Sequence, residues 1–405
     1  MPAAARLLCT LALALLLPAA AAAPVRSADG PRVAEGVHEN AAFRWEVPAH
    51  WNGGLVMFAH GYQGEGPGPG MVRSEPLDAL LSERGYAWAA TGYRSIGYRV
   101  DAFIDDVRAL RERFIREVGT PRWTIIHGQS MGGHVSIASL ELHPGLYQGA
   151  LIECGVVDGI GIADYLYAYT AAAEYVGGVP LLDAPDRQTF NRRVNEVWVP
   201  AVGTPGAYTA RGRRFESVVK HLLNDAPLWR ENLPRRYLMN LVYIPRGESR
   251  AHLRAAVSTQ HVRYAIDPGL GLDAAELNAK VRRIAPEPGS RSRATDPVYA
   301  DLTGRITVPV MTLHETGDTW VPLILEQQYR RKTIAAGTAD LLVQRVVRWP
   351  GHCAFESELR DQAFDDLVAW IEKGVKPVGD DVLNTPMAQL GRRWTPRPHP
   401  ADTAR

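Results

Sequence analysis

The chain has 405 residues, enough to bury a full core and, on length alone, to hold two or three domains of about 150 residues. Its 45 basic and 44 acidic residues leave a net charge of +1, so no overall field draws nucleic acid or an anionic membrane surface. A hydrophobic content of 46% is that of an ordinary globular protein.

Residues 1–23 read as a secretory signal peptide. Arg6 precedes an apolar run, Leu7 to Leu17, that is too short to span a bilayer, and Pro18 and an alanine tract follow with A-x-A cleavage options near Ala22. No other stretch is long and apolar enough for a membrane span. The mature protein is therefore expected to be soluble and exported, to a periplasm or the medium. Cleavage removes Cys9 and leaves Cys154 and Cys353, two cysteines in a compartment where thiols pair.

Residues from Pro24 to Val37 read as an exposed leader, and Ala42 to Val47 as a first strand. After a turn, Leu55 to Ala59 is a second strand that runs into His60-Gly61-Tyr62-Gln63-Gly64-Glu65-Gly66. The glycines of this loop fit neither G-x-G-x-x-G nor the P-loop spacing, which argues against a phosphate cradle. A glycine-rich loop after a strand suits a different task, that of offering a backbone N–H to a developing oxyanion, with Tyr62 as donor. Glu75 to Arg84 is predicted helical and Tyr86 to Ala90 a strand. Asp101 to Val118 is an amphipathic helix with Phe103, Val107, Leu110 and Phe114 at helical spacing.

The stretch Trp123 to His134 organises the rest. A β-branched run, Thr124 to Ile126, leads into Gly128-Gln129-Ser130-Met131-Gly132, a G-x-S-x-G match, and Met131 to Leu142 is predicted as a helix. Strand, tight turn and helix are the setting in which this motif presents a serine hydroxyl at the end of a sheet. The Met131 N–H is the second candidate oxyanion donor. Gly149 to Glu153 is a further strand, ending at Cys154. Alternating strands and helices argue for a parallel sheet.

From residue 155 to residue 300 this rhythm stops. Helical candidates are Ile162 to Val176, Gly212 to Leu223, Pro234 to Tyr243 and Ser249 to Ser258. Tyr165, Tyr167, Tyr169, Tyr175, Trp198, Tyr208, Trp229, Tyr237 and Tyr243 fall in the same segment. It reads as a helical cap inserted into the sheet domain, its aromatics either packing the cap or facing an apolar substrate. The sheet resumes with Ile306 to Leu313, followed by His314-Glu315-Thr316-Gly317-Asp318-Thr319-Trp320-Val321-Pro322. A helix from Val321 to Ala336, a strand from Leu341 to Trp349, Gly351-His352-Cys353 and a helix from Phe355 to Lys373 complete the core. The domain plan is then a core of residues 24–154 and 301–374, the cap at 155–300, and a loosely structured tail at 375–405.

A serine on such a turn needs a base, and the base needs an orienting acid. In chain order the candidates are Ser130, Asp318 and His352, each following a strand, so that parallel strands bring all three to one edge. Glu315 is an alternative acid on the same loop. His314-Glu315 is half of an H-E-x-x-H pattern without its second histidine, so no metal site is expected, and no cofactor motif occurs. His127, His134 and His60 read as packing or bracing groups.

On these motifs the chain resembles the α/β-hydrolase superfamily of serine esterases. The likeness rests on Gly128-Gln129-Ser130-Met131-Gly132-Gly133, His60-Gly61-Tyr62, Gly317-Asp318-Thr319-Trp320-Val321-Pro322 and Gly351-His352, and covers about residues 42–154 and 302–373. It implies a mostly parallel sheet flanked by helices and a Ser130–His352–Asp318 triad. The pair His352-Cys353 is similar to the tannase and feruloyl-esterase group, although Gln129 stands where that group has the partner cysteine. Cys154 is the candidate partner here, the alternative being two buried free thiols. The expected activity is hydrolysis of a small or polymeric carboxylic ester. Peptidase or amidase chemistry, and an inactive binding protein on the same fold, are the alternatives.

Overall fold

The computed structural model describes residues 30–66, 68–243, 251–292 and 302–403. The region read as a signal peptide lies outside them. Eight strands form one sheet: β1 (Arg32–His38), β2 (Ala41–Val47), β3 (Gly54–Ala59), β4 (Ala87–Thr91), β5 (Trp123–Gln129), β6 (Gly149–Glu153), β7 (Val310–Glu315) and β8 (Leu342–Val347). Their spatial order is β1-β2-β4-β3-β5-β6-β7-β8. The β1/β2 and β2/β4 pairs are antiparallel, and every later pair is parallel. This is the sheet of an α/β-hydrolase.

Strands β3 to β8 are buried on both faces because side chains alternate between two helical layers. Leu55, Met57 and Ala59 of β3 join one core with Phe103, Val107, Leu110 and Phe114 of helix α2 (Val100–Glu117). Val56 and Phe58 point the other way, to a core with Leu80 and Leu81 of α1 (Asp78–Arg84) and Phe364 and Leu367 near the C-terminus. Each buried Val, Leu, Met or Phe side chain among these contributes roughly 1.5–3 kcal/mol. Helix α3 (Met131–Leu142) packs against β3, β5 and β6, and so fixes the direction in which β5 ends.

The expected leader is in part a strand. Arg32–His38 pairs along its whole length with β2 through a tight turn at Glu39 and Asn40, both with positive φ (48° and 67°). Five of its seven residues are exposed, so it carries no alternating apolar signal; the turn-forming Asn40 was its only mark.

Between β6 and β7 lies the insertion. It holds α4 (Gly161–Gly177), α5 (Arg187–Arg192) continued by a π-helical turn (Arg193–Trp198), α6 (Val199–Val202), α7 (Ala210–Leu222), α8 (Trp229–Arg236), α9 (Ala251–Ala256) and α10 (Ala274–Lys280). A two-residue hairpin pairs Gly203–Thr204 with Ala207–Tyr208. The helix expected to start at Pro234 begins instead at Trp229, after Leu228 in a left-handed conformation, with Pro234 inside it. Its burial is decided by Trp229 and Leu233 in the insertion's own core, which overrides the local preference of proline for a first turn. That core gathers Tyr165, Tyr169, Trp198, Phe215 and Tyr237, with ring centroids 5.0–6.3 Å apart.

After β7 come α11 (Ile324–Ala336), β8 and α12 (Ser357–Lys373). The tail is not loose. Val382 and Leu390 are buried against Leu323 and Val346, and Arg348 pairs with Asp402. Its charges and prolines suggest solvation, but Asp380 and Asp402 are taken up by Val346 of β8 and by Arg348 just after it. The Val346 N–H donates to Asp380 at 2.8 Å and the Arg348 N–H to Thr395 at 2.8 Å. No helix among the described residues is long and apolar enough to cross a membrane.

Candidate active site

The site lies where β3, β5, β7 and β8 end, since parallel strands deliver their following loops to one edge. Ser130 stands between β5 and α3 with φ 55° and ψ −119°, a conformation that costs a non-glycine residue about 1–3 kcal/mol. The surroundings enforce it. A Cβ on Gly132 would sit 1.8 Å from the Ala59 carbonyl oxygen, and one on Gly128 would sit 2.4 Å from that of Gly132. The two glycines let strand, turn and helix approach closely enough to hold the serine out.

His352 and Asp318 meet it there. His352 Nε2 is 2.9 Å from Ser130 Oγ, and His352 Nδ1 is 2.5 Å from Asp318 Oδ2. The other Asp318 oxygen accepts the N–H groups of Trp320 and Val321, at 2.9 and 3.0 Å. Each carboxylate oxygen thus has a fixed donor, and the aspartate cannot turn from the imidazole. His314 supports the same loop from beneath by bonding the Val321 carbonyl at 2.8 Å. Burial opposes charge on His314, but the hydrogen bond and charge of Glu326 prevail and raise its pKa to about 9.

Glu315, the alternative acid, makes another contact: it accepts the Ala354 N–H at 2.6 Å. Burial, then the charge of Asp318, raises its carboxyl to about 7. A carboxyl of that kind is a poor partner for a developing imidazolium. The half-pattern His314-Glu315 is likewise taken up by the protein's own groups. Atoms of Cys154, His352 and Cys353 fall within 4.8 Å of one another, but the two sulfurs are joined in a disulfide, which leaves one nitrogen donor.

That disulfide links the end of β6 to the residue beside His352, with a Cα–Cα distance of 5.2 Å. Both cysteines have positive φ, 46° and 59°.

Tyr62 and Met131 flank the serine. Met131 is the first residue of α3, whose first-turn N–H groups have no acceptor within the helix and carry its positive dipole end. On the other side, a Cβ on Gly61 would lie 3.1 Å from Ser130 Cβ, so the backbone leading to Tyr62 passes directly against the serine. Gln63 clamps that loop by bonding both backbone groups of Met71. His60 bonds the Gly61 carbonyl at 2.7 Å, and burial lowers its pKa to about 4, so it braces the loop as a neutral ring. His134 meets the Tyr98 hydroxyl at 3.0 Å. His127 is enclosed between Glu75 and Glu153.

Several contributors carry no motif. The Trp320 ring lies 5.1 Å from that of His352. Asn232 of α8 accepts from Thr319 Oγ1 at 2.8 Å and donates to the Pro350 carbonyl at 3.2 Å, so one insertion residue clasps both the acid and the base loop. Tyr165 and Asn240 donate to the Thr319 carbonyl at 2.8 and 2.7 Å. In sequence these are an asparagine and a tyrosine among many, and no spacing rule marks them. A cavity of about 330 Å³ opens between Tyr62 and Trp320 and the insertion, walled by the apolar Phe190, Leu241 and Tyr243 and the polar Arg187, Asn191 and Asn195, with no carboxylate in its lining. A larger one, about 490 Å³, sits beside Asp164 and Arg291 and touches none of Ser130, Asp318 and His352.

Residues 36–184 match a family described as a tannase-like family of unknown function (DUF6351). This agrees with the resemblance carried by His352-Cys353. The matched segment includes Tyr62, Ser130 and Cys154 and stops before Asp318 and His352. No curated protein matches the chain. Among solved structures, feruloyl esterase B from Aspergillus oryzae is similar over 84% of this chain and 80% of its own, at 12% identity and a TM-score of 0.49. Acylaminoacyl peptidase from Pyrococcus horikoshii is similar over 87% of this chain, at 14% identity and a TM-score of 0.44. The chain spans only 43% of that peptidase's length. An esterase from Pyrococcus furiosus is similar over 86% of this chain and 92% of its own, at 12% identity and a TM-score of 0.43. At such identities the likeness is one of fold.

Proposed function

We propose that this protein is an exported serine hydrolase that cleaves carboxylic esters through an acyl-enzyme. The observation that carries the reading is the unbroken chain of hydrogen bonds from Asp318 through His352 to Ser130 Oγ, held on a strained turn. Ser130 Oγ attacks the acyl carbonyl carbon while its proton passes to His352 Nε2. The carbonyl oxygen becomes an oxyanion between the Tyr62 and Met131 N–H groups. Asp318 holds the tautomer that leaves Nε2 free and stabilises the imidazolium. As the tetrahedral species collapses, the C–O bond to the alcohol breaks and His352 returns the proton to it. Water then gives a proton to His352 as it attacks the acyl carbon; when this second tetrahedral species collapses, the bond to Ser130 Oγ breaks, His352 returns the proton to Oγ, and the carboxylic acid leaves.

The cavity beside Tyr62 and Trp320 would seat the part of the ester next to the scissile bond. Its walls mix aromatic and aliphatic side chains with Arg187, Asn191 and Asn195, which favours a group that has both apolar surface and hydrogen-bonding atoms. The Cys154–Cys353 bridge suits the oxidising compartment to which residues 1–23 would direct the chain.

The test is a panel of chromogenic acyl and aroyl esters with peptide anilides alongside, run on the protein and on Ser130→Ala. Ester turnover is expected and should fall by about 10⁵–10⁶-fold in the variant. Anilide turnover without ester turnover would move the reading to a peptidase. Failure of a fluorophosphonate to label Ser130 in folded protein would sink both.

A further inference from the structure

Glu153, the last residue of β6, is fully buried and touches neither Ser130 Oγ nor the imidazole of His352, yet its contacts reach the segments that carry both. Its backbone carbonyl accepts the Ser130 N–H at 3.1 Å. Its carboxylate accepts from the Gln129 amide at 2.8 Å and meets His127 Nε2 at 3.2 Å; both belong to the strand that ends at Ser130. Arg360, in the helix after the base loop, donates to both carboxylate oxygens at 2.8 and 2.9 Å. Glu75 closes the cluster on the far side of His127 at 2.6 Å. Burial pushes the Glu153 carboxyl up, but the hydrogen bond and charge of His127, with the charge of Arg360, leave it below the ordinary range. Burial lowers the affinity of His127 for its proton, and the two glutamates more than reverse this, to a pKa of about 10.

Two glutamates, a histidine and an arginine are costly to bury, and a hydrocarbon of the same volume would pack this sheet at least as well. What hydrocarbon lacks is direction. We propose that Glu153 is a positioning residue whose ionic link between the nucleophile strand and α12 sets the separation of Ser130 Oγ from His352 Nε2. The link runs parallel to the disulfide next to it in sequence: Cys154 follows Glu153, and Cys353 follows His352. The bridge limits how far the base loop can travel, and the carboxylate fixes where it rests. The role in turnover rests on the reading of Ser130 and His352 given above; the mechanical link does not.

The experiment uses the full-length oxidised protein and the variants Glu153→Gln, Arg360→Gln and their double. The readouts are steady-state hydrolysis of a chromogenic ester and hydrogen exchange of the peptide covering residues 350–356. A misplacement of the order of 1 Å costs up to about 10²-fold. Glu153→Gln is therefore expected to lower kcat by about 10–100-fold with KM within twofold, and Arg360→Gln by less. The double variant should be no worse than Glu153→Gln, because both cut the same link. Exchange in 350–356 should quicken in every variant while that of α2 stays unchanged. If Glu153→Gln does not fold, Arg360→Gln carries the same comparison. Folded variants with kcat within twofold and unchanged exchange would overturn the proposal, as would losses that multiply in the double variant. Faster exchange in a protein that hydrolyses no ester would support the link and count against the proposed function instead.

Discussion

The sheet domain and the insertion use the same kinds of residue under different rules. At the sheet edge each functional side chain is placed by topology: a parallel strand ends, a loop turns, and Ser130, Asp318 or His352 lands beside the others. In the insertion, Trp198, Phe215 and Tyr237 are placed by one another, and nothing in their spacing says which partner each will have. The first arrangement is local in sequence and repeats; the second is global and occurs once. Asn232 is where they meet, an insertion residue that accepts from the Thr319 hydroxyl of the acid loop and donates to the Pro350 carbonyl of the base loop.

Three changes separate the two regions, and the largest effect belongs to the sheet edge. Asp318→Asn keeps the shape but favours the wrong imidazole tautomer, and should lower kcat by about 10⁴-fold while the melting temperature barely moves. Kinetics and calorimetry on one preparation check it; a loss below tenfold would mean that another acid orients His352.

Trp198→Ala should do the reverse. The ring is fully buried, meets Phe215 edge-on at 5.3 Å and donates to the Ala173 carbonyl at 2.8 Å. Truncation should cost about 3–5 kcal/mol. If the insertion is an independent unit, a calorimetric scan of this variant shows a separate early transition and fluorophosphonate still labels Ser130. A single transition at a lower temperature would show that the two regions unfold together.

The smallest effect is read against pH. The folded protein holds the Glu315 proton up to about pH 7, whereas an unfolded glutamate releases it near 4.5. Between those values the folded state binds more protons, so stability falls as pH rises through this window and then levels off. Glu315→Gln should match the parent below pH 4.5 and exceed it by up to roughly 3 kcal/mol above pH 7. Denaturant midpoints at pH 4 and pH 8 measure it. Activity should survive, which separates Glu315 from Asp318 as partner of His352.

What the sequence revealed follows the same division. Strand cores such as Leu55 to Ala59 and the elbow at Ser130 are written in adjacent residues, because burial between two helical layers demands an unbroken apolar run and the turn demands its glycines. Asp318 and His352 could be paired with Ser130 because chain order and strand order coincide. Strand β1 was hidden by exposure on both faces. The α5 segment was missed although Asp186 caps it by accepting the Thr189 N–H at 2.6 Å, a signal that Asp-x-x-Thr spacing carried. Asn232 and Glu153 could not have been found, since Asn232 joins groups 87 and 118 residues away and Glu153 reaches Arg360 across 207 residues.

Strand β8 is the outermost of the parallel strands, and among the described residues one side of it has no strand neighbour. An outer strand in that position is an open template onto which a second molecule can add its own backbone. The residues after the final long helix occupy it: Val346 and Arg348 donate outward to Asp380 and Thr395, and the Gln344 carbonyl receives the Asp380 N–H. The irregular end of the chain thus acts as a guard against self-recruitment. It stands on the strand that leads to His352, so removing the residues after Gly374 would uncover backbone groups of β8 next to the loop that carries His352.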